Sequence, residues 1–485
     1  MVFTSLTFVL FLALVFSLYW ILRRRSLQNF LILVASYVFY GWWDWRFLSL
    51  IVISSLIDFV SGQMIEKSES KGGRRGWLAV SMCANLGMLG FFKYFNFFAG
   101  SLQSAANSAG FALGDITLDI VLPVGISFYT FQTMSYTIDI YRGQMKPEKD
   151  LIAFLAFVSF FPQLVAGPIE RASRLLPQFM VDRKFDYAIA VSGCREILWG
   201  FFKKMVIADN LGLFVQSVYP RVEDYSAPYI WLATTAFAFQ IYCDFSAYSN
   251  IAKGTSRLLG FELMRNFAYP YFSQDIAEFW RRWHISLSTW FRDYVFIPLG
   301  GSRGAVRVVI MNTIIVFSVS GLWHGAAWNY VIWGFLNGIA FIPILLRPKK
   351  PGAQKKRATD VPGGEGLLPS PRVALNIFLT FGGMLFAWVF FITPSVGLAL
   401  TTIKRMLFNW TAENPPLMPD SWGVTQVLIF IGGLYIFEWI MRRHENPLTL
   451  DKVWRPLRWT IYTVMLWSCF YFLPRPDSPF IYFQF

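Results

Sequence analysis

Apolar residues along this chain gather in long blocks separated by short polar clusters, with neither the strict alternation of a half-buried strand nor the single stripe of a surface helix. The blocks run to about 17–25 residues, the length of helix that crosses roughly 30 Å of hydrocarbon. Candidate spans are Val2–Leu22, Phe30–Trp43, Phe47–Ile65, Trp77–Gly100, Ile120–Tyr141, Ala153–Ala166, Cys194–Val218, Tyr229–Ser249, Val306–Leu322, Ala327–Leu346, Val373–Ile392, Gly423–Met441 and Trp459–Leu473. Lipid offers no partner to backbone N–H and C=O groups, so such blocks must close their own hydrogen bonds as helices. Barrel strands would instead read as alternating segments of about ten residues. The pattern predicts an all-α polytopic integral membrane protein with roughly eleven transmembrane helices and additional re-entrant or amphipathic ones. Ala153–Ala166 and Cys194–Val218 are the re-entrant or interfacial candidates.

Composition agrees: the 485 residues are 55% hydrophobic and 15% charged, with mean hydropathy +0.45, which is not a soluble surface. Val2–Leu22 has no basic residue before it and Arg23, Arg24 and Arg25 after it, the reverse of a secretory signal, and reads as a retained anchor. The net charge of +14 sits in short loops beside apolar blocks. The loops at 23–25, 67–75 and 142–149 are basic, whereas 101–119 carries no Lys or Arg. This places the N-terminus outside and the basic loops in the cytoplasm, and argues against nucleic acid as a partner. Residues 1–485 form one membrane domain: N-terminal helices over 1–118, a core over 119–346, a flexible cytoplasmic linker over 347–371 and C-terminal helices over 372–485. Cys83, Cys194, Cys243 and Cys469 show no metal-like spacing and read as core thiols. Trp42, Trp43 and Trp45 at the end of a span read as an interfacial aromatic belt.

Candidate chemistry rests on three histidines. His444 lies beyond the end of a span and reads as solvated. His324 lies where two apolar blocks meet, flanked by Gly321 and Gly325. An ionisable group at membrane depth is costly, so its default reading is functional, facing a cavity that Trp323, Trp328 and Asn329 would wall. His284 sits in a stretch read as one amphipathic interfacial helix capped by Ser273. There Ile276, Phe279, Trp280, Trp283, Leu287, Trp290, Phe291 and Tyr294 share a stripe and Arg281, Arg282 and Arg292 lie outside it. By position alone His284 is as consistent with a structural role as with a functional one. Gln240, Asp244, Ser246 and Asn250 punctuate another span, as caps and helix contacts or as the lining of a polar tunnel. No HExxH, GxSxG, Walker or dinucleotide-binding glycine pattern occurs, and no metal site is expected.

The motif Gly321-Leu-Trp-His-Gly-Ala, preceded by Phe279-Trp-Arg-Arg-Trp-His-Ile-Ser-Leu-Ser-Thr-Trp-Phe-Arg-Asp-Tyr and Ile297-Pro-Leu-Gly-Gly-Ser-Arg, resembles the membrane-bound O-acyltransferase family. Leu122-Pro-Val-Gly-Ile-Ser-Phe-Tyr-Thr-Phe-Gln, Phe161-Pro-Gln-Leu-Val-Ala-Gly-Pro-Ile, Gln240-Ile-Tyr-Cys-Asp-Phe-Ser-Ala-Tyr-Ser and the ending Ser478-Pro-Phe-Ile-Tyr-Phe-Gln-Phe are similar to its bacterial, alginate O-acetyltransferase-like branch. The resemblance implies a ring of spans around a thin centre where a cytoplasmic acyl donor meets an acceptor from the outer side. The family's invariant His falls on His324 and its second site on His284. Asn250 and Cys243 depart from the residues usual in that branch.

The resemblance further implies His324 as the general base taking a hydroxyl proton and His284 or Trp323 as a donor to the thioester carbonyl. Arg281 and Arg282 would suit a phosphate-rich donor. No cofactor is expected to be bound; acetyl-CoA or an acyl-carrier thioester is the donor substrate. The expected product is an O-acetylated exported polysaccharide, alginate first, made at the bacterial inner membrane with extracytoplasmic partner proteins. Cellulose, peptidoglycan and D-alanylation of teichoic acid are alternatives. A transporter or export subunit is the alternative of another class; a transporter predicts two related halves, and the chain shows no internal repeat.

Overall fold

The computed structural model describes residues 1–347, 360–364, 366–411, 414–418, 421–473 and 480–481. Helix dominates and no strand occurs among the described residues, as the block pattern requires. Six helical stretches are long and apolar enough to cross a membrane: Arg25–Lys67, Lys71–Ser108, Val306–His324, Trp328–Leu345, Pro371–Ile392 and Val424–Met441. The protein is a multi-pass membrane protein, and its many exposed Leu, Ile, Val and Phe side chains are the surface it offers to lipid. The chain divides into two compact units, residues 1–194 with 252–264, and residues 195–251 with 265–485. Residues 119–194 therefore group with the N-terminal helices and not with the stretch that carries the histidines.

In the first unit, Ser5 caps the helix Leu6–Ile21 by accepting from the Phe8 N–H, and Asp150 caps Leu151–Val158 by accepting from the Ala153 N–H. Helix Ile126–Tyr141 is the innermost: nearly every side chain along it is buried, against Leu48–Lys67 and Lys71–Leu89. It starts later than the apolar block that begins at Ile120, because Gly125 adopts a left-handed conformation at φ +78° and breaks the run. Leu151–Val158 has only eight residues, too few to cross, in keeping with a re-entrant piece.

In the second unit, Val306–His324 and Trp328–Ala340 form a tight hairpin. A Cβ on Gly334 would stand 2.1 Å from the Phe317 carbonyl oxygen, so only glycine allows the two backbones this close. The block Cys194–Val218 is helical, with a π-helical stretch over Phe202–Ala208.

Three expectations change. The stretch around His284 is not one interfacial helix but two, Ile276–Arg282 and Ile285–Phe291, with a π-helical turn over Arg292–Phe296. Its apolar stripe is packed inside the protein, and the break falls at His284 itself. Asp275, not Ser273, caps the first helix, accepting from the Glu278 N–H at 2.7 Å. Cys83 and Cys194 are exposed, whereas Cys243 and Cys469 are buried; on a lipid-facing helix an apolar block has an outer face as well as a core. About half of the stretch read as a linker, 347–371, lies outside the described residues. The Asp360 carbonyl accepts from Arg282, and the carbonyls of Pro362 and Gly364 accept from Arg442.

Candidate active site

The site lies wholly in the second unit. His324 is the last residue of Val306–His324, which ends because Gly325 swings to an extended conformation at φ −153°. The imidazole is buried, on the inner face of the glycine-rich hairpin.

His284 is buried too, and at φ +42° it is one of two non-glycine residues with positive φ among those described. That conformation costs of order 1 kcal/mol or more and persists only where the surroundings impose it. Asn266 imposes it. Its carbonyl accepts from the Ile285 N–H at 2.9 Å, and its Oδ1 accepts from the Ser286 N–H at 3.3 Å and the Ser286 hydroxyl at 2.8 Å. Asn266 is anchored in turn by donating Nδ2–H to Ser249 at 3.2 Å. On the other side of the break, the Ala268 N–H donates to the Arg282 carbonyl at 2.9 Å.

The two imidazole rings, 40 residues apart in sequence, stand 6.2 Å apart between centroids with their planes tilted by 57°. Trp323 lies 6.0 Å from His284 and 5.0 Å from His324, and Phe245 packs edge-on against His284 at 4.6 Å. Trp333 and Phe391 close the other side of His324 at 5.2 and 5.6 Å, with Trp388 behind them. Trp333 Nε1 is buried and has no hydrogen-bond partner among the described residues. The arrangement is two proton-transfer groups in a buried aromatic box with an indole N–H beside them, suited to moving a proton and polarising a carbonyl.

The remaining expected site residues hold the surroundings. Asn329 donates to the carbonyls of Phe390 and Thr393, tying the hairpin to the end of Pro371–Ile392. Arg282 is buried in an ion pair with Glu278 at 3.0 Å, while Arg281 is half-exposed, 4.0 Å from Asp275. Asp244 accepts from Lys204 at 2.7 Å and from the Ile481 N–H at 2.7 Å, and Ser246 accepts from Lys203 at 2.6 Å. Gln240 packs against Gly212. The residue between Asp244 and Ser246 is Phe245, so the span read as a tunnel lining reaches His284 through an aromatic ring. A separate cavity of about 640 Å³ is lined by Gln274, Asp275, Asn337, Asn376, Thr380 and apolar side chains. Asn337 on its wall accepts from Trp280 Nε1 at 3.2 Å, and Trp280 packs on Trp333.

Sequence reasoning missed Trp333, Asn266, Lys203, Lys204 and Glu438. Lys203 donates to Ser246 and to Asn250 at 2.7 Å, Lys204 bridges Asp244 and Asp209, and Glu438 accepts from Tyr242 at 2.8 Å. Two lysines and a glutamate inside apolar blocks were a signal in themselves, since ionisable groups at membrane depth need partners. Asn266 and Trp333 carried none.

The family model of the membrane-bound O-acyltransferases matches residues 146–346, which include both histidines. A probable alginate O-acetylase of Azotobacter vinelandii is 42% identical over 341 residues, 70% of this chain and 67% of that protein. The chain belongs to this family. This O-acyltransferase is also 33% identical to a peptidoglycan O-acetyltransferase of Helicobacter pylori over 402 residues, 78% of this chain and 73% of that protein. It is 32% identical to a teichoic acid D-alanyltransferase of Streptococcus thermophilus over 295 residues, 55% of this chain and 68% of that protein. The alignments to the alginate relatives span about two thirds of those proteins' own length.

Proposed function

We propose that the acyltransferase moves an acetyl group from a cytoplasmic thioester across the bacterial inner membrane for O-acetylation of an exported polysaccharide, with alginate the first choice of polymer. The observation that carries this reading is the pair of buried imidazoles 6.2 Å apart in an aromatic box, in a chain similar to alginate O-acetylases. His324 is the general base. As the acceptor oxygen attacks the thioester carbonyl, the imidazole takes the hydroxyl proton. As the tetrahedral intermediate collapses, the carbon–sulfur bond breaks and the imidazolium returns the proton to the departing thiolate. His284, Trp323 or Trp333 donates to the carbonyl oxygen while it carries charge. The donor is acetyl-CoA or an acyl-carrier thioester; the neighbouring cavity of about 640 Å³, apolar with an amide-bearing wall, suits its flexible arm. Extracytoplasmic partner proteins deliver the group to the polymer.

The test is acetylation of the exported polymer in cells carrying His324→Ala, with expression and membrane insertion matched to wild type. Loss of acetyl ester is expected, and retained acetylation overturns the assignment. The same assay run on alginate, peptidoglycan and teichoic acid identifies the acceptor, the last two following the other relatives.

A further inference from the structure

Arg282 stands two residues before the left-handed His284, at the end of helix Ile276–Arg282, and its side chain is only 1% exposed. Nε and Nη2 donate to Glu278 Oε1, one turn back in the helix, at 3.1 and 3.0 Å. Nη1 donates to the Ala268 carbonyl at 3.4 Å, and the Arg282 backbone carbonyl accepts from the Ala268 N–H at 2.9 Å. Nη2 also donates to the Asp360 carbonyl at 2.9 Å. One side chain thus joins its own helix, the segment after Asn266 and a loop 78 residues further along the chain.

That loop is itself fastened. Arg442, also buried, lies over the Trp439 ring at 3.8 Å and donates to the carbonyls of Pro362 at 3.1 Å, Gly364 at 3.3 Å and Gly366. Trp439 Nε1 donates to the Leu367 carbonyl at 2.7 Å. Gly363, at φ +73°, lies so close to the same indole that a Cβ there would stand 2.5 Å from a ring carbon.

A lysine could meet the (i, i+4) pairing with Glu278. Reaching carbonyls on two other segments at once needs the planar fork of a guanidinium. A buried arginine with at least four of its five N–H groups already engaged has little left for a ligand's phosphates, the role that its place in the Arg281-Arg282 pair suggests. Its remaining use is geometric. The φ +42° of His284 persists only while the surroundings impose it. Asn266 grips the turn after the break, through Ile285 and Ser286, and Arg282 grips it before the break.

We propose that Arg282 is a positioning residue for the acyl transfer: it fixes the His284 turn from the helix side, with the loop at residues 360–364 as its outer anchor, and binds no donor phosphate. The inference rests on the reading of the two histidines as the transfer site.

The test is transfer from acetyl-CoA, over a range of concentrations, to the exported polymer in membranes that contain the full-length protein, normalised to folded protein. Arg282→Lys keeps the pair with Glu278 but loses the fork. Its kcat should fall about 100-fold with the KM for acetyl-CoA unchanged. Gly363→Ala alters neither the histidines nor the arginine but lifts the loop off Trp439. It should lower kcat about tenfold, again at unchanged KM, and it carries the test if Arg282→Lys does not fold. Diethyl pyrocarbonate labelling in detergent reads the turn without any donor: in both variants His284 should label faster while His324 keeps its wild-type rate. A raised KM at unchanged kcat in Arg282→Lys would make the residue a donor ligand and overturn the positioning. So would wild-type kcat, or wild-type labelling of His284, in both variants. His324→Ala in the same membranes separates the failures: normal transfer there sinks the site reading itself, whereas lost transfer there beside normal transfer in both variants sinks only the positioning.

Discussion

In the first unit a lone carboxylate, Asp58, meets hydroxyls and an amide carried on helices that run unbroken past it. In the second, buried charges come with partners, Lys204 between Asp244 and Asp209, Lys203 on Ser246 and Asn250, and Arg282 on Glu278. The helices that carry them are interrupted, at the π-helical Phe202–Ala208, at the left-handed His284 and at the extended Gly325. Regular helices satisfy their own backbones and leave side chains to bind one another. A broken helix costs energy but aims a side chain where no regular helix would. The difference separates polar groups on regular helices, which bind one another, from polar groups set beside breaks in the helices that carry the two buried histidines.

The sharpest way to break that contrast is His324→Ala. It should lower acetyl transfer about 10²–10⁴-fold, because general base catalysis is worth that much. The buried ring also packs against Trp333 and Phe391, so the midpoint should fall as well, and transfer that stays near wild type in the protein that remains folded would make His324 a packing residue instead. Next is Asn266→Ala, which releases the clasp around His284. Misplacing a catalytic group by about 1 Å can cost on the order of 100-fold, so kcat should fall by that order with KM little changed. A fall in KM-dependent binding alone would count against a positioning role.

Gly334→Ala tests the hairpin beneath the site. Its Cβ would stand 2.1 Å from the Phe317 oxygen, so the helices must part, at about 1–3 kcal/mol, read as a lower unfolding midpoint.

A smaller effect concerns pH and the first unit. Glu170, in the loop before Ala172–Phe179, accepts from the Met264 N–H, and burial pushes its carboxyl up to about 7 from 4.5. Between those values the folded protein holds a proton that the unfolded chain has released. Stability should therefore fall as pH rises through the window, and Glu170→Gln should flatten that slope in a pH series of unfolding midpoints. The smallest effect is at the surface of the second unit, where Arg195 holds Asp451 below the usual carboxylate range. Asp451 is largely exposed, so Asp451→Asn should change stability by no more than about 0.5 kcal/mol in the same assay.

What reading the chain reached, and what it did not, follows from the range of the forces involved. Helix class, membrane residence and the family resemblance are written locally, in block length and in words such as Gly321-Leu-Trp-His-Gly-Ala. His324 was legible because a histidine between two apolar blocks is conspicuous. His284 was found by its words, but its surroundings were misread: an amphipathic period looks the same whether its apolar stripe faces lipid or protein. The break at Trp283–His284 could not be read at all, because Asn266, 18 residues upstream, imposes it through hydrogen bonds that leave no periodic trace.

By itself, then, the sequence determined that this chain is a helical membrane protein of the O-acyltransferase family with histidines at two recognisable positions. Hydrophobic length and local motifs need no distant partner to be expressed. Only the tertiary structure decided that the two imidazoles come within 6.2 Å, that Trp333 and Phe391 wall in His324, and that Asp58, Ser81 and Thr137 meet in one hydrogen-bonded cluster from three helices. Each of these depends on which helix faces pack together, and packing is a property of pairs of segments that no single segment encodes.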